Sequence, residues 1–257
     1  MTEPPGVWLY AVAEGVDTAI LAGLAGVGGS AVRAVAAGGL TAVASDVDLA
    51  QYGETALERN LEDLDWLAAT ARAHHRVIDA VARHRAVVPM RLATVYSGDA
   101  AVATMLTAQA ASFRRTLDRL GTRKEWGVKA HLAGRPEPEP AAGQPGPGSG
   151  AAYLRRRQQQ LDAQRDGRRD AAASARAVHA ELSGHAAASC CHPPQLPQLS
   201  GERAVMVLNA AYLLDAGSAG DFERAVTGLA ARHPHIRLEL TGPWPPYSFA
   251  STQEPPG

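Results

Sequence analysis

The spacing of apolar residues changes several times along this chain, and each change marks an element. Val7-Trp-Leu-Tyr-Ala-Val-Ala13 is an unbroken apolar run that reads as a buried strand, ended at Gly15. Asp17 offers an N-cap for a short helix through Ala25, halted by Gly26, Gly28 and Gly29. Residues 31–36 and 40–45 flank Gly38-Gly39 and predict a hairpin with the turn residues it needs. From 54 to about 83 the spacing becomes helical. Leu57, Leu61, Leu64, Ala68, Ala71, Ile78 and Val81 recur at steps of three and four and form one apolar stripe. A strand over 87–95 follows, with Pro89 at its entry. A helix over 99–120 places Val102, Leu106, Ala110, Phe113, Leu117 and Leu120 on one side, and Gly121 closes it.

The second half repeats the alternation at lower apolar density. Residues 125–132 predict a strand, and the stretch 134–150, with its repeated prolines and glycines, a flexible loop. Residues 153–182 are helical by propensity, with a thin seam of Leu154, Leu161, Ala175 and Leu182 that Arg168 interrupts. A second loop is expected over 184–200. Beyond it lie a strand over 204–214, a helix capped by Asp221 and running to about Arg232, and a last strand over 236–240. The fold class is therefore α+β in two domains: 1–120, with helices over a mostly antiparallel sheet, and 121–257. The second domain reads β-α-β-α-β, compatible with a ferredoxin-like sheet that lacks or borrows one strand. It ends in a stiff arm over 241–257, where three prolines and three aromatics crowd into Thr241-Gly-Pro-Trp-Pro-Pro-Tyr-Ser-Phe249.

Bulk properties remove several function classes. A formal charge of −1 over 257 residues argues against a dedicated nucleic-acid binder. The first six residues carry neither a basic segment nor an apolar core, so a secretory leader is not expected. The longest apolar run, 19–27, is short for a membrane span and broken by glycines. The two cysteines, Cys190 and Cys191, are adjacent and cannot frame a disulfide scaffold, which predicts a cytoplasmic chain.

Candidate chemistry changes the picture little. Gly23, Gly26, Gly28 and Gly29 resemble a phosphate loop in composition but follow a helix instead of linking a strand to one. His74 and His75 diverge by about 100° on a helix, and Cys190-Cys191-His192 lacks a second ligand pair, so no metal or cofactor is expected. No nucleophile elbow, zinc-protease motif or Walker loop is present, and no enzyme activity is expected. Arg155, Arg156, Arg157, Arg165, Arg168, Arg169 and Arg176 make 153–182 the one basic segment. It supports an alternative reading as a polyanion contact, although no aromatic platform accompanies it.

Six motifs, in order, carry a resemblance. They are Val7–Ala13, Val88-Pro-Met-Arg-Leu-Ala-Thr-Val-Tyr96, Lys124-Glu-Trp-Gly-Val-Lys129, Ser149-Gly-Ala-Ala-Tyr-Leu154, Leu208-Asn-Ala-Ala-Tyr-Leu-Leu-Asp215 and the closing Trp-Pro-Pro-Tyr arm. Together they are similar to the gas vesicle GvpL/GvpF family. One departure is Ala93, where that family usually has glycine; if the glycine serves a positive φ, the local geometry should differ here.

The resemblance implies a non-enzymatic assembly protein, a nucleation factor or minor shell-associated component. Its partners would be the small hydrophobic shell protein and other gas vesicle accessory proteins, and its place would be with gas vesicles. On that reading the contact surface is expected among Trp244 and Tyr247 of the arm, Arg91 and Thr94 of the strand motif, and Glu125, Trp126 and Lys129 at the domain junction. Each has a structural alternative: the arm as a clasp between the domains, and Arg91 with Glu125 as an internal ion pair.

Overall fold

The computed structural model describes residues 5–133, 149–194 and 204–251. By its contacts the chain forms two compact units, 1–125 together with 243–257, and 126–242. The sequence expectation placed the boundary at 120/121 and the arm in the second domain. The arm, however, groups with the first unit and not with the second domain, to which its sequence position assigned it.

The first unit is built on β1 (Gly6–Ala13), in which all eight residues are buried. This explains the unbroken apolar run: a strand covered on both faces has no polar side to display. On one side β1 pairs antiparallel with β3 (Leu40–Val47), which pairs with β2 (Val32–Ala37) across the Gly38-Gly39 turn. Both turn glycines have positive φ, 59° and 75°, as a two-residue hairpin turn requires. The other side of β1 is shared by two short strands, β4 (Val88–Pro89) and β5 (Val95–Tyr96). The single strand expected over 87–95 is thus interrupted. Between its halves Thr94 Oγ1 donates to Arg91 O at 2.8 Å, and Ala93 takes a φ of 64°.

Helices cover this sheet in more pieces than the periodicity predicts. Asp17 caps α1 (Thr18–Leu21) by accepting from Ala19 N, but the helix stops well before Ala25. α2 (Leu49–Tyr52) was not anticipated. The expected helix over 54–83 is broken into α3 (Glu54–Asn60) and α4 (Leu64–Ala82), because Asp63 leaves the helix to accept from Asp65 N and Trp66 N. The break rotates the stripe: Leu61 and Leu64 become exposed, while Ala73, His74, Val77, Ile78 and Val81 face the core. The helix over 99–120 is α5 (Asp99–Ala108) followed by α6 (Ala110–Leu120), kinked at Gln109. Gly121 ends it with φ 53°, as expected.

The core of this unit contains two hydrogen-bonded polar sets. Trp8 Nε1 donates to His74 Nδ1 at 2.9 Å, and His74 Nε2 donates to Met90 O at 3.1 Å. Indole can only donate and a carbonyl can only accept, so these partners fix the neutral Nε2–H form. Burial foremost pushes the His74 pKa down to about 4. In the second set the Tyr10 hydroxyl accepts from Val27 N and shares a hydrogen bond with Ser45 Oγ, both at 2.7 Å. Gly26 permits that approach, since a Cβ there would sit 2.3 Å from the Tyr10 hydroxyl. The glycines after α1 therefore serve close packing as well as ending the helix.

Among the described residues the second unit holds α7 (Ser149–Ser183), β7 (Ala188–Cys191), β8 (Met206–Leu214), α8 (Ala219–Arg232) and most of β6 (Lys124–Leu132) and β9 (Ile236–Trp244). Its sheet order is β7-β8-β6-β9. With α7 and α8 as the helices described in its two crossovers, this is the split β-α-β-β-α-β arrangement. The strand missing from the sequence reading is β7, which lies inside the loop expected over 184–200. β7 is short and polar-flanked, and it is recruited by antiparallel pairing with β8 from Ala188↔Leu213 to Cys191↔Ala210. Of the loop expected over 134–150, residues 134–148 lie outside the described residues, and Ser149 opens α7.

α7 departs from its expected seam. Ala171, Ser174, Ala175, Val178 and Leu182 are buried, a pattern of true helical period, whereas Leu154 is 67% exposed and Arg168 lies on the open face. The core-facing stripe thus covers only the last turns of a helix about 50 Å long. α8 begins after Ser218, with Asp221 in its first turn and not at the cap. β9 runs past 240 into the arm, and Pro243 is tolerated there because β9 is an edge strand.

Candidate functional site

The arm is fixed to the first unit by a chain of specific contacts. Glu125, at the end of that unit's stretch of β6, is buried, and its carboxylate accepts from both Ser248 N and Ser248 Oγ at 2.7 Å. Two short bonds to a carboxylate are charge-assisted, the strongest hydrogen bonds a side chain commonly makes. Arg119, near the end of α6, donates to Phe249 O at 2.9 Å and to Ser251 O at 3.4 Å. Phe249 is buried, and Tyr247–Phe249 form one 3-10 turn, begun by the φ-restricted Pro245-Pro246 pair.

His75 of α4 is the hub for the aromatics. Its Nδ1 lies 2.9 Å from the Tyr247 hydroxyl. Its ring meets Trp244 edge-on at 5.4 Å between centroids and Tyr247 at 6.0 Å. Burial of the phenol end, with Asp79 and Glu125 nearby, holds the Tyr247 pKa above its ordinary value. The Tyr247 hydroxyl therefore keeps its proton beside the His75 ring. Trp244 and Tyr247 nevertheless stay 41% and 37% exposed. The result is a rigid backbone that presents two large, oriented aromatic faces to the outside.

The expected site residues separate into four groups. Trp244, Tyr247 and Glu125 come together, Glu125 as the anchor of the arm and the two aromatics as its outward faces. Thr94 closes the β4–β5 turn through Arg91 O, so its hydroxyl is engaged internally. Arg91 is exposed and forms no ion pair with Glu125, whose carboxylate binds Ser248. Trp126 is core in the second unit, 7% exposed beside Val128 and Ala130, and Lys129, on the opposite face of the strand, is half-buried. His75, Arg119 and Ser248 were missed. No local pattern marks them, because each gains its role from a segment more than a hundred residues away.

No arrangement here suggests a metal or an acid–base pair at the arm. Among the described residues there is no group of three or more His, Cys, Asp or Glu side chains able to hold a metal ion. No described helix is long and apolar enough to cross a membrane.

Comparison with known proteins agrees with the geometry. The family described as gas vesicle synthesis protein GvpL/GvpF matches residues 6–251. Gas vesicle protein L of Streptomyces sp. (strain CB03234) is 43% identical over 254 residues, covering 96% of this chain and 93% of that protein. Gas vesicle protein F2 of Halobacterium salinarum is 24% identical over 184 residues, 70% of this chain and 68% of its own. Among solved structures, the gas vesicle protein GvpF of Anabaena sp. PCC7120 superposes with a TM-score of 0.68 at 19% identity, over 97% of this chain and 98% of that one. GvpF of Microcystis aeruginosa gives 0.65 at 16%, over 96% and 99%. These two show the shared α+β fold; the family match and the Streptomyces relative show the kinship, and the chain belongs to the GvpL/GvpF family of gas vesicle synthesis proteins.

Proposed function

We propose that this protein acts in gas vesicle assembly without catalysis, by binding the small hydrophobic shell protein through the aromatic faces of its C-terminal arm. A subunit that polymerises into a shell needs a partner that controls when it meets its copies. The observation that carries this reading is the contrast within the arm. Ser248 and Phe249 are locked, while Trp244 and Tyr247 are left two-fifths exposed on the same rigid segment. Aromatics whose conformational entropy is already lost are the usual anchors of interfaces.

The polyanion reading is weakened by the charges on α7 itself. Arg165 pairs with Asp162 at 3.8 Å and Arg169 with Asp166 at 3.5 Å, so part of the basic face is answered within the helix.

The test is a pull-down of purified shell protein at low and high salt, using the natural chain and Trp244→Ala. The expected result is salt-resistant binding that falls at least tenfold in the variant while its melting temperature stays within about 2 °C. A parallel loss of binding and stability would make Trp244 part of the clasp alone. Binding that vanishes with salt and ignores Trp244 would move the contact to the arginines of α7.

A further inference from the structure

The second unit carries a side-chain cluster that the assembly reading leaves unused. Cys191, the last residue of β7, is exposed, and its Sγ lies 3.4 Å from His179 Nε2 on α7. His179 Nδ1 is in turn 2.9 Å from the hydroxyl of Tyr212 on β8, a fully buried residue. Nucleophile, base and a group that orients the base stand in line, the arrangement in which a thiol becomes a working nucleophile.

The fold holds these groups in place. Ser183 Oγ donates to His179 O at 2.7 Å and accepts from Ser189 Oγ at 2.9 Å, which ties the end of α7 to β7. His192 N donates to Asn209 O at 2.7 Å and continues the β7–β8 pairing beyond Cys191. Burial first, and then the neighbouring thiols, hold the Tyr212 phenol above its ordinary range, so it stays neutral beside the imidazole. Its oxygen can accept from Nδ1–H, which turns the Nε2 lone pair towards the sulfur.

The neighbouring thiol is an internal comparison. Successive strand residues point to opposite faces, and Cys190 Sγ has His192 Nε2 at 3.8 Å. One of two adjacent cysteines therefore has an oriented base on a rigid helix, and the other has an imidazole on its own strand end.

We propose that Cys191 is a thiol-modification site: His179 takes the thiol proton, and the thiolate attacks a low-molecular-weight disulfide to leave a mixed disulfide on the protein. The new S–S bond forms as the reagent's S–S bond breaks. The departing half leaves as a thiolate and takes up the proton held on His179. One disulfide replaces another, so no further oxidant or reductant is needed.

The test uses the full chain and its two single-cysteine variants, with dithiobis(nitrobenzoate) as the probe. Cys190→Ser keeps Cys191 alone, and Cys191→Ser keeps Cys190 alone. Near pH 7, Cys191 is expected to react at least about tenfold faster than Cys190, with one adduct per chain by mass. Adding His179→Gln to the Cys190→Ser chain should cut the rate about tenfold near pH 7 and hardly at all near pH 9.5, where a thiol ionises without a base. Tyr212→Phe keeps the ring in the core and should give the same pattern in smaller measure, so the proposal stays testable if the first variant folds poorly. Equal rates for the two cysteines, a faster Cys190, or a His179→Gln deficit that is the same at both pH values would overturn it.

Discussion

Position 93 holds an alanine in a backbone conformation that glycine adopts freely, with φ 64° between β4 and β5. A changed geometry was expected at the alanine only if the family's usual glycine serves a positive φ. Instead the turn keeps its left-handed residue, because Thr94 and Arg91 close it and because Leu9 N donates to Thr94 O at 2.9 Å. Left-handed backbone costs an alanine about 1–2 kcal/mol, and a glycine there adds some unfolded-state freedom in return. Ala93→Gly is therefore expected to raise stability by about 0.5–1 kcal/mol in urea titration, with an unchanged slope. His74 makes a second residue-scale prediction. Its folded pKa of about 4 lies below the 6.5 of a free imidazole, so the unfolded chain binds the extra proton first. Its contribution is complete above about pH 6.5 and is lost as the pH falls towards 4, an effect on the order of 3 kcal/mol. Unfolding free energies measured from pH 7 to 4.5 should fall less steeply in His74→Gln than in the natural chain. The sequence showed that His74 and His75 could not share a metal. It could not show that one would accept from Trp8 and the other meet Tyr247, since those partners arrive through the fold.

At the scale of elements, composition and periodicity located nearly every strand and helix but misplaced the joins between them. The stripe over 54–83 ran through Leu61 and Leu64 because propensity alone carries a helix across that stretch. Asp63 ends it by satisfying the first amides of α4, a local bond that outweighs continuity. β7 escaped because four residues with half-buried sides have no periodic signature, and pairing with β8 supplies what their sequence lacks. The arm was recognised as rigid and aromatic, but its anchor at Glu125 lay in a different motif, and no spacing rule connects them. The displaced stripe is open to test. Leu64 is 76% exposed and Ile78 is fully buried, so Leu64→Gln should stay within about 0.5 kcal/mol of the natural chain. Ile78→Ala should lose about 2–5 kcal/mol by thermal or chemical denaturation. Similar losses at both positions would restore the continuous helix.

For the molecule as a whole, the order in which the chain visits its two units decides how each is completed. Residues 126–242 form one unbroken segment with its own core, from Trp126 on β6 to Ile236 on β9. The first unit is assembled from 1–125 and from 243–257, which the chain supplies last. Before that arrives, the Glu125 carboxylate lacks Ser248, His75 lacks Tyr247, and the site of Phe249 is empty. Each hydrogen bond to a charged group is worth about 1.5–3 kcal/mol, and removing a buried aromatic costs about 3–5. These losses together approach the whole stability of a typical domain. A segment spanning 126–242 is therefore expected to fold alone and melt cooperatively, whereas 1–125 should be marginal or unfolded. Adding the peptide 243–257 should recover part of its stability, and a peptide with Phe249→Ala should recover less. If 1–125 melts as the full chain does and ignores the peptide, the arm is not a structural closure. Trp244 and Tyr247 would then be held in place for a partner alone.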